Sequence, residues 1–279
     1  MAYKTEILLD GLVFGEGPRW HEGKLWFSDI YGRKVMTVDL NGKAETIVDV
    51  PTLPSGLGWL PDGRLLIVSM AGRRLLRLDP DGLSVAADLS KLAVTCNDMV
   101  VDNQGRAYIG SYAYDVVTYK PGAPAWIILV TTDGDIHVVA SEMESPNGMV
   151  ITPDGHTLIV ADTFAEQLIA FNIDSDGCLT GRHIWAQLGA GPDGICLDAE
   201  GAIWVALPHT AEVLRCHKGG DVTHRIKVST SAYACMLGGP DRRTLFIMTA
   251  ESFNPEETRN KRSARIEIVD VDIPGAGLP

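Results

Sequence analysis

A unit of about 40–50 residues recurs six times along this chain, and a repeat of that period strongly restricts the possible folds. Each unit holds an apolar-alternating run, a turn signal and a second run, as in PNGMVITPDGHTLIVA and PDGICLDAEGAIWVA. A third and often a fourth strand-like run follows. Units of four short strands are typical of β-propellers. The sequence therefore predicts an all-β, six-bladed β-propeller that occupies residues 1–279 as a single domain.

The ring of blades is expected to close through the N-terminal run KTEILLDGL. Because an open blade edge exposes unpaired backbone groups, this run is predicted to pair with the last blade. A basic run at 259–262, RNKR, is expected to be a solvated loop. Four tryptophans fall in predicted strands and are assigned to the core between blades: Trp20, Trp26, Trp59 and Trp204.

When the units are aligned, two positions, here called columns, carry polar residues in most units, and the two columns have different explanations. Asp154-Gly155 and its counterparts separate the first two strands, and turn geometry accounts for their residue types. The other column lies where the chain enters the first strand, eight residues before the turn glycine in the second to fifth units. Since first strands line the channel of a propeller, this column is expected to form a ring around its axis. Its members are Glu16, Ser55, Asn97, Asn147, Asp193 and Ala234.

Four members of this ring carry a side-chain carboxylate or amide oxygen: Glu16, Asn97, Asn147 and Asp193. Hard oxygen ligands favour Ca²⁺, Mg²⁺ or Mn²⁺, and two carboxylates balance one divalent cation. The alternative is that each residue is simply a turn former, since Asn-Gly and Asp-Gly are common turn pairs. The agreement of four units favours a metal site, with Ser55 as a candidate for the surrounding shell.

Composition excludes several classes of function. A formal net charge of −12 disfavours nucleic acid and anionic membrane surfaces as partners. No apolar run reaches the ~18 residues of a membrane span, and the N-terminus does not have the pattern of a signal peptide. The five cysteines form no CxxC pair, which favours free thiols in a reducing compartment. A cytoplasmic protein is expected.

Four motifs in order, FGEGPRW, CND, SPNGM and PDGICLDAEGAIWVA, resemble the SMP-30/gluconolactonase/LRE family over essentially the whole chain. The resemblance implies a six-bladed propeller with one divalent cation, commonly Ca²⁺, in the central channel, with Mg²⁺, Mn²⁺ or Zn²⁺ as alternatives. By that resemblance Glu16, Asn147 and Asp193 match the protein ligands. Asn97 matches a position that is a ligand in some members and a substrate or water contact in others. Asp193 also matches the general base or nucleophile.

One position departs from the sugar-lactone members of that family. They carry an arginine that holds the polyol two residues before the Asn97 position, and this chain has Thr95 there. A less polar lactone, or another ester, is therefore expected as substrate. Thr95, Tyr112, Asp115 and His209 are the predicted substrate-binding residues, and 112–126 is a candidate lid. The competing interpretations are packing for Tyr112 and a solvated loop residue for His209.

These observations predict a metal-dependent hydrolase that opens a small-molecule lactone, a carboxylic ester hydrolase. The cation would polarise the carbonyl group, and Asp193 would act as general base or nucleophile. One alternative is a non-catalytic calcium-binding propeller that binds a metabolite or a protein partner. Organophosphate hydrolysis is another alternative, and the sequence leaves the oligomeric state open.

Overall fold

Short strands joined by hairpins account for nearly all regular structure in the computed structural model, which describes residues 3–278 apart from 117, 119 and 123. The strands are β1 (Glu6–Leu12), β2 (Gly15–His21), β3 (Lys24–Asp29), β4 (Lys34–Val38), β5 (Ala44–Asp49), β6 (Pro54–Trp59), β7 (Leu65–Ser69), β8 (Arg74–Asp79), β9 (Gly82–Asp88), β10 (Thr95–Val101), β11 (Ala107–Tyr112), β12 (Ala125–Val130), β13 (Ile136–Met143), β14 (Pro146–Ile151), β15 (Thr157–Asp162), β16 (Gln167–Ile173), β17 (Leu179–Gln187), β18 (Ile195–Leu197), β19 (Ile203–Leu207), β20 (Glu212–Cys216), β21 (Val222–Lys227), β22 (Ser231–Gly238), β23 (Thr244–Ala250) and β24 (Ala264–Asp270).

Six four-stranded antiparallel sheets form the blades, so the predicted six-bladed propeller is confirmed. Five blades use four consecutive strands each, starting with β2, β6, β10, β14 and β18. The sixth has the order β22-β23-β24-β1, with Glu6 opposite Ile268 and Leu12 opposite Ala264. The predicted closure by the N-terminal strand is therefore also confirmed. Neighbouring inner strands contact each other in cyclic order, and β22 contacts β2 to complete the ring.

The glycines after the ring residues let the inner strands approach closely. A Cβ atom at Gly148 would lie 2.6 Å from the backbone N of Ile195, and one at Gly194 would lie 2.5 Å from Cβ of Ala234. Asn147-Gly148 lies inside β14 and does not form a turn. The hairpin column behaves as predicted, because Gly155 and its counterparts in four other blades have positive φ. The sixth blade has Arg242 at this position, also with positive φ.

The basic run at 259–262 is exposed as expected, but the prediction of a loop is wrong. Pro255–Lys261 forms a helix, α1, between β23 and β24. The side chain of Asn254 caps it by accepting hydrogen bonds from the backbone N–H groups of Glu256 and Glu257. The inner strand β22 starts at the mouth that holds the ring residues, and the antiparallel strand β23 returns to that mouth. The helix α1 follows β23 and therefore lies at the same mouth.

The C-terminal segment crosses the opposite mouth of the channel. Gly275 forms a bridge to Asp198 in blade 5, and Leu278 forms a bridge to Ile151 in blade 4. All five cysteines are free, four of them buried and Cys178 exposed. No helix in the described part of the chain combines the length and the apolarity that crossing a membrane requires.

Candidate metal and catalytic site

The six ring residues lie at one mouth of the channel, at or just before the start of the inner strands. Asn97 and Asn147 are 5% and 8% exposed, so both amides are almost withdrawn from solvent. Glu16 and Asp193 are half-buried as whole residues. The remaining two members, Ser55 and Ala234, are buried. The structure therefore brings together at one mouth the four oxygen-bearing residues that the alignment of the repeats placed in one column.

Hydrogen bonds fix the orientation of the two amides. Nδ2 of Asn97 donates to Oδ1 of Asn147 at 3.0 Å. Nδ2 of Asn147 donates to Oγ1 of Thr163 at 3.2 Å, and that hydroxyl donates to the Pro192 carbonyl at 2.8 Å. The Asn147 oxygen therefore faces Asn97, and its nitrogen is held by Thr163 on the side of Asp193, where a hydrogen bond from the Asn147 side chain lowers the pKa of that carboxyl group. This supporting role of Thr163 could not be predicted from the repeat.

The two carboxyl groups of the ring are held in an environment that opposes their charge. Burial raises the pKa of Asp193 well above its ordinary value, and the charges of Glu16 and Asp98 raise it further. Burial raises the pKa of Glu16 to about 8, with a further contribution from Asp98 and opposing contributions from the Gly17 N–H and Arg19. A cation between such groups would favour their ionised forms.

An ion pair that sequence reasoning missed lies in the channel beside the ring. Nη2 of Arg19 is 2.7 Å from Oδ1 of Asp98, and both residues are buried. The guanidinium also donates to the carbonyls of Leu57 and Met99 at 3.0 and 2.6 Å, so it joins three blades. The only sequence signal was the position of each residue close to a ring member, Glu16 or Asn97. Its burial depends on tertiary packing.

The predicted substrate-binding residues have different environments. Tyr112 ends β11 opposite Thr95, at the end of blade 3 that holds the ring. Burial raises the pKa of its phenol, and Tyr114, Asp193 and Glu16 raise it further. Thr95 is buried, and its hydroxyl accepts a hydrogen bond from the Val116 N–H at 3.2 Å. Thr95 therefore anchors the candidate lid and is withdrawn from the surface.

The other two predicted contacts lie on loops. Oδ1 of Asp115 accepts a hydrogen bond from the Thr118 N–H at 2.7 Å, so this carboxylate shapes the candidate lid. Three lid residues, 117, 119 and 123, lie outside the described residues. His209 is exposed in a short 3-10 helix, Pro208–Thr210, that packs against β22. A substrate contact by His209 remains a prediction.

Aromatic side chains surround this mouth. Phe14 packs edge-on against Tyr233 with 4.8 Å between ring centroids, and Tyr31 lies 5.6 Å from Phe14. Tyr112 stacks on Tyr114 at 5.1 Å. Sequence reasoning identified Tyr112 and Tyr114 but missed the other three, which come from segments far apart in the chain. The surroundings of the ring are therefore more aromatic than the motifs alone suggested.

The donor set at this mouth fits a hard divalent cation. It offers two carboxylates and two amides from four blades, all oxygen donors, and the amide oxygens are oriented by hydrogen bonds. Among the described residues, no three His, Cys, Asp or Glu side chains come together as a metal site. The chemistry of the ring thus matches Ca²⁺ better than Zn²⁺, which prefers nitrogen and sulfur.

The chain is similar over most of its length to proteins of known family. A pentonolactonase, XacC, from Haloferax volcanii is 27% identical over 253 residues, 88% of this chain and 84% of that protein. A 6-deoxy-6-sulfogluconolactonase from Pseudomonas putida is 26% identical over 286 residues, 96% of this chain and 94% of that protein. The crystal structure of a calcium-binding protein, regucalcin, from Agrobacterium tumefaciens has a TM-score of 0.83 at 24% identity, with 100% and 97% of the two chains covered.

The structural likeness establishes the fold, and the sequence match establishes the family. Residues 14–251 match the family described as SMP-30/Gluconolactonase/LRE-like region, and this range contains all six ring residues. The earlier resemblance rested on four short motifs within the same range. The chain therefore belongs to the SMP-30/gluconolactonase/LRE-like family.

Proposed function

We propose that this protein is a metal-dependent lactonase whose active site is the ring at the channel mouth. The observation that carries the proposal is the convergence of Glu16, Asn97, Asn147 and Asp193 from four blades at one mouth of the channel. Two sequence relatives are named as lactonases, which supports the same class of reaction. A lactonase is a carboxylic ester hydrolase that acts on a cyclic ester.

The same four side chains would hold one divalent cation, with Ca²⁺ the best match to their oxygen donors. When bound, the cation would supply a positive charge that polarises the lactone carbonyl and stabilises developing negative charge. Thr163 would keep the oxygen of Asn147 directed into the site through its hydrogen bond to the amide nitrogen.

Asp193 would carry the proton transfer or the nucleophilic attack. As a general base its carboxylate removes a proton from water, the resulting hydroxide adds to the carbonyl carbon, and the ring C–O bond breaks. The ring oxygen then takes up a proton, so the product is a hydroxy acid. As a nucleophile, Asp193 would instead attack the carbonyl carbon, the ring C–O bond would break, and the released ring oxygen would take up a proton. Water would then hydrolyse the resulting anhydride to the hydroxy acid and restore the Asp193 carboxylate. Both routes require the ionised carboxylate.

Tyr112 is the best candidate for a neutral hydrogen-bond donor to the substrate. Its phenol is held protonated, because burial and the nearby Tyr114, Asp193 and Glu16 groups raise its pKa. A neutral phenol can donate to a carbonyl oxygen, whereas a phenolate cannot.

The substrate is proposed to be less polar than a sugar lactone. Thr95 replaces the arginine that binds the polyol in sugar-lactone relatives, and its hydroxyl is already bonded to the lid. At this mouth, the half-buried Tyr31 and Tyr114 and the exposed Phe164, which stacks on Tyr114, offer aromatic surface in place of charged donors. An apolar or aromatic substituent on the lactone would contact this surface favourably.

The test is a pH-stat assay on a panel from gluconolactone to apolar γ- and δ-lactones, with an organophosphate ester included. Metal-stripped protein is assayed alone and with Ca²⁺, Mg²⁺, Mn²⁺ or Zn²⁺, and calorimetry measures cation binding in parallel. The proposal predicts metal-dependent acid release that is fastest with a less polar lactone. Binding of one cation without turnover of any lactone would contradict it and favour a non-catalytic propeller. Faster turnover of the phosphorus ester would favour organophosphate hydrolysis.

A further inference from the structure

A cavity of about 370 Å³ opens at the mouth of the channel opposite the ring. Its walls include Trp20, His21, Trp59, Arg242 and Leu278 of the C-terminal segment. His21 ends β2, whereas Glu16 lies near its start, so the two mouths are roughly 15 Å apart along the strand. This volume lies in the lower part of the range of about 300–1,000 Å³ that is typical of small-molecule sites.

Arg242 occupies an unusual position in this cavity. The first hairpin of the other five blades has glycine with positive φ here, whereas Arg242 adopts φ +57°. Eight other described residues with side chains also have positive φ, so this conformation alone does not mark a site. The Nε atom of Arg242 is also buried without a hydrogen-bond partner among the described residues. Arg242 also forms no ion pair with any described residue although it lines the cavity, so the remaining donors of its guanidinium are available to a ligand that enters there.

The other charged groups in the cavity wall are already paired. Arg19 is 2.7 Å from Asp98, and Asp102 is 2.6 Å from Nε of Arg106. Among the described residues that line the cavity, Arg242 is therefore the cation that has no carboxylate partner. One unpaired guanidinium matches a monoanion, and its planar fork matches a carboxylate.

The remaining walls are planar and aromatic. His21 stacks on Trp59 with 3.9 Å between centroids and 15° between planes. Trp26 supports Trp59 edge-on at 5.5 Å, and Trp20 stacks on Phe246 at 5.4 Å. The sequence assigned these three tryptophans to the core, but each is only half-buried. Of the three, Trp20 and Trp59 line the cavity, where their rings can contact a flat aromatic group.

We propose that this cavity binds planar aromatic monocarboxylates, at a site separate from the lactone site. Arg242 binds the carboxylate, and the Trp59 and Trp20 rings contact the aromatic part. The proposal goes beyond lactone hydrolysis and does not depend on it, because no ring residue lines this cavity.

Isothermal titration calorimetry of naphthoate into the full-length protein tests the proposal, with naphthamide as the uncharged analogue. We expect naphthoate to bind one to one, and naphthamide to bind about tenfold more weakly or worse. Binding should be the same in chelator-treated protein, which separates this result from the outcome at the metal ring. Absence of naphthoate binding, or equal binding of the amide, would overturn the proposal.

The variant Arg242→Gly separates a binding role from a structural one. Glycine is the residue of the other five blades, so the melting temperature should equal or exceed that of the wild type. Naphthoate affinity should nevertheless fall about tenfold or more, whereas the neighbouring exposed control Arg243→Gln should leave it unchanged. Unchanged affinity in Arg242→Gly would refute the assignment. If that variant does not fold, Arg242→Gln together with the naphthoate–naphthamide comparison decides the question.

Discussion

The amide of Asn147 illustrates how single residues define the proposed metal site. Its oxygen accepts a hydrogen bond from Asn97, and its nitrogen donates to the hydroxyl of Thr163, the residue that follows β15, so that the two bonds together fix the amide plane. The Pro192 carbonyl in turn fixes the hydroxyl at 2.8 Å, one residue before Asp193. Thr163 therefore couples two of the proposed ligands without being a ligand itself.

Replacing Thr163 with valine should weaken Ca²⁺ binding by about 10–100-fold, because the Asn147 amide loses the group that orients it. Titration calorimetry on metal-stripped protein measures the effect. Thr163→Ser keeps the hydroxyl and should restore most of the affinity. Thr180→Val, at an exposed strand position, serves as the control and should bind like the wild type. Equal affinity in Thr163→Val and wild type would show that the amide needs no such support.

Elements were easier to predict than contacts. The repeat predicted the blades, the closing strand and the ring column because each depends on a local pattern of turn and strand residues. The helix α1 was missed although Asn254-Pro255-Glu256-Glu257 contains a cap, a first-turn proline and acidic residues that favour a helix start. The Arg19–Asp98 pair and the aromatic surroundings depend on segments far apart in the chain, so no local pattern indicates them.

The closing strand β1 provides a prediction at this scale. Deleting residues 1–12 would leave β24 as an open edge and would remove the packing of Leu8 and Leu9 on the core. We expect the melting temperature to fall by about 10 °C or more, since each kcal/mol shifts it by about 2–4 °C in larger domains. Differential scanning calorimetry tests this, with deletion of residues 1–2 as the control, because Tyr3 itself packs against the core. A melting temperature unaffected by the longer deletion would mean that β1 does not hold the ring closed.

At the scale of the whole molecule, the ring carboxylates link folding to pH. The pKa of Glu16 is raised by burial to about 8, from an ordinary value of 4.5, and burial shifts the pKa of Asp193 in the same direction. Between these pH values the folded state holds a proton that the unfolded chain has released. The proton on Glu16 therefore contributes fully to the free energy of unfolding of the metal-free protein below pH 4.5. This contribution is lost as the pH rises through about 8.

Chelator-treated protein should therefore lose thermal stability as the pH rises from 5 to 8.5, about the window set by these pKa values. The variant Glu16→Gln has no proton to lose there, so its dependence on pH should be flatter. Added Ca²⁺ should offset the loss, because it binds the ionised ring in the folded state. Melting curves at several pH values measure all three effects. A wild-type stability that rises over this window relative to Glu16→Gln would contradict the assignment.

The two mouths of the channel differ in the chemistry of the side chains that they present. One presents carboxylates and amides among aromatic side chains, and the other presents Arg242 among tryptophans. We propose that residues 1–279 nevertheless behave as one domain, since β1 and β24 join the chain ends within one blade. A single calorimetric unfolding transition is expected.

The central claim is that Asp193, within a cation-binding ring, carries out lactone hydrolysis. The most direct measurement is the initial rate of acid release against Ca²⁺ concentration, for the wild type and Asp193→Asn, with Asp154→Asn at an exposed hairpin as the control. At saturating Ca²⁺ we expect Asp193→Asn to be slower by about 10²–10⁴-fold, and the control to match the wild type. A rate in Asp193→Asn within about tenfold of the wild type, with Ca²⁺ bound, would contradict the account.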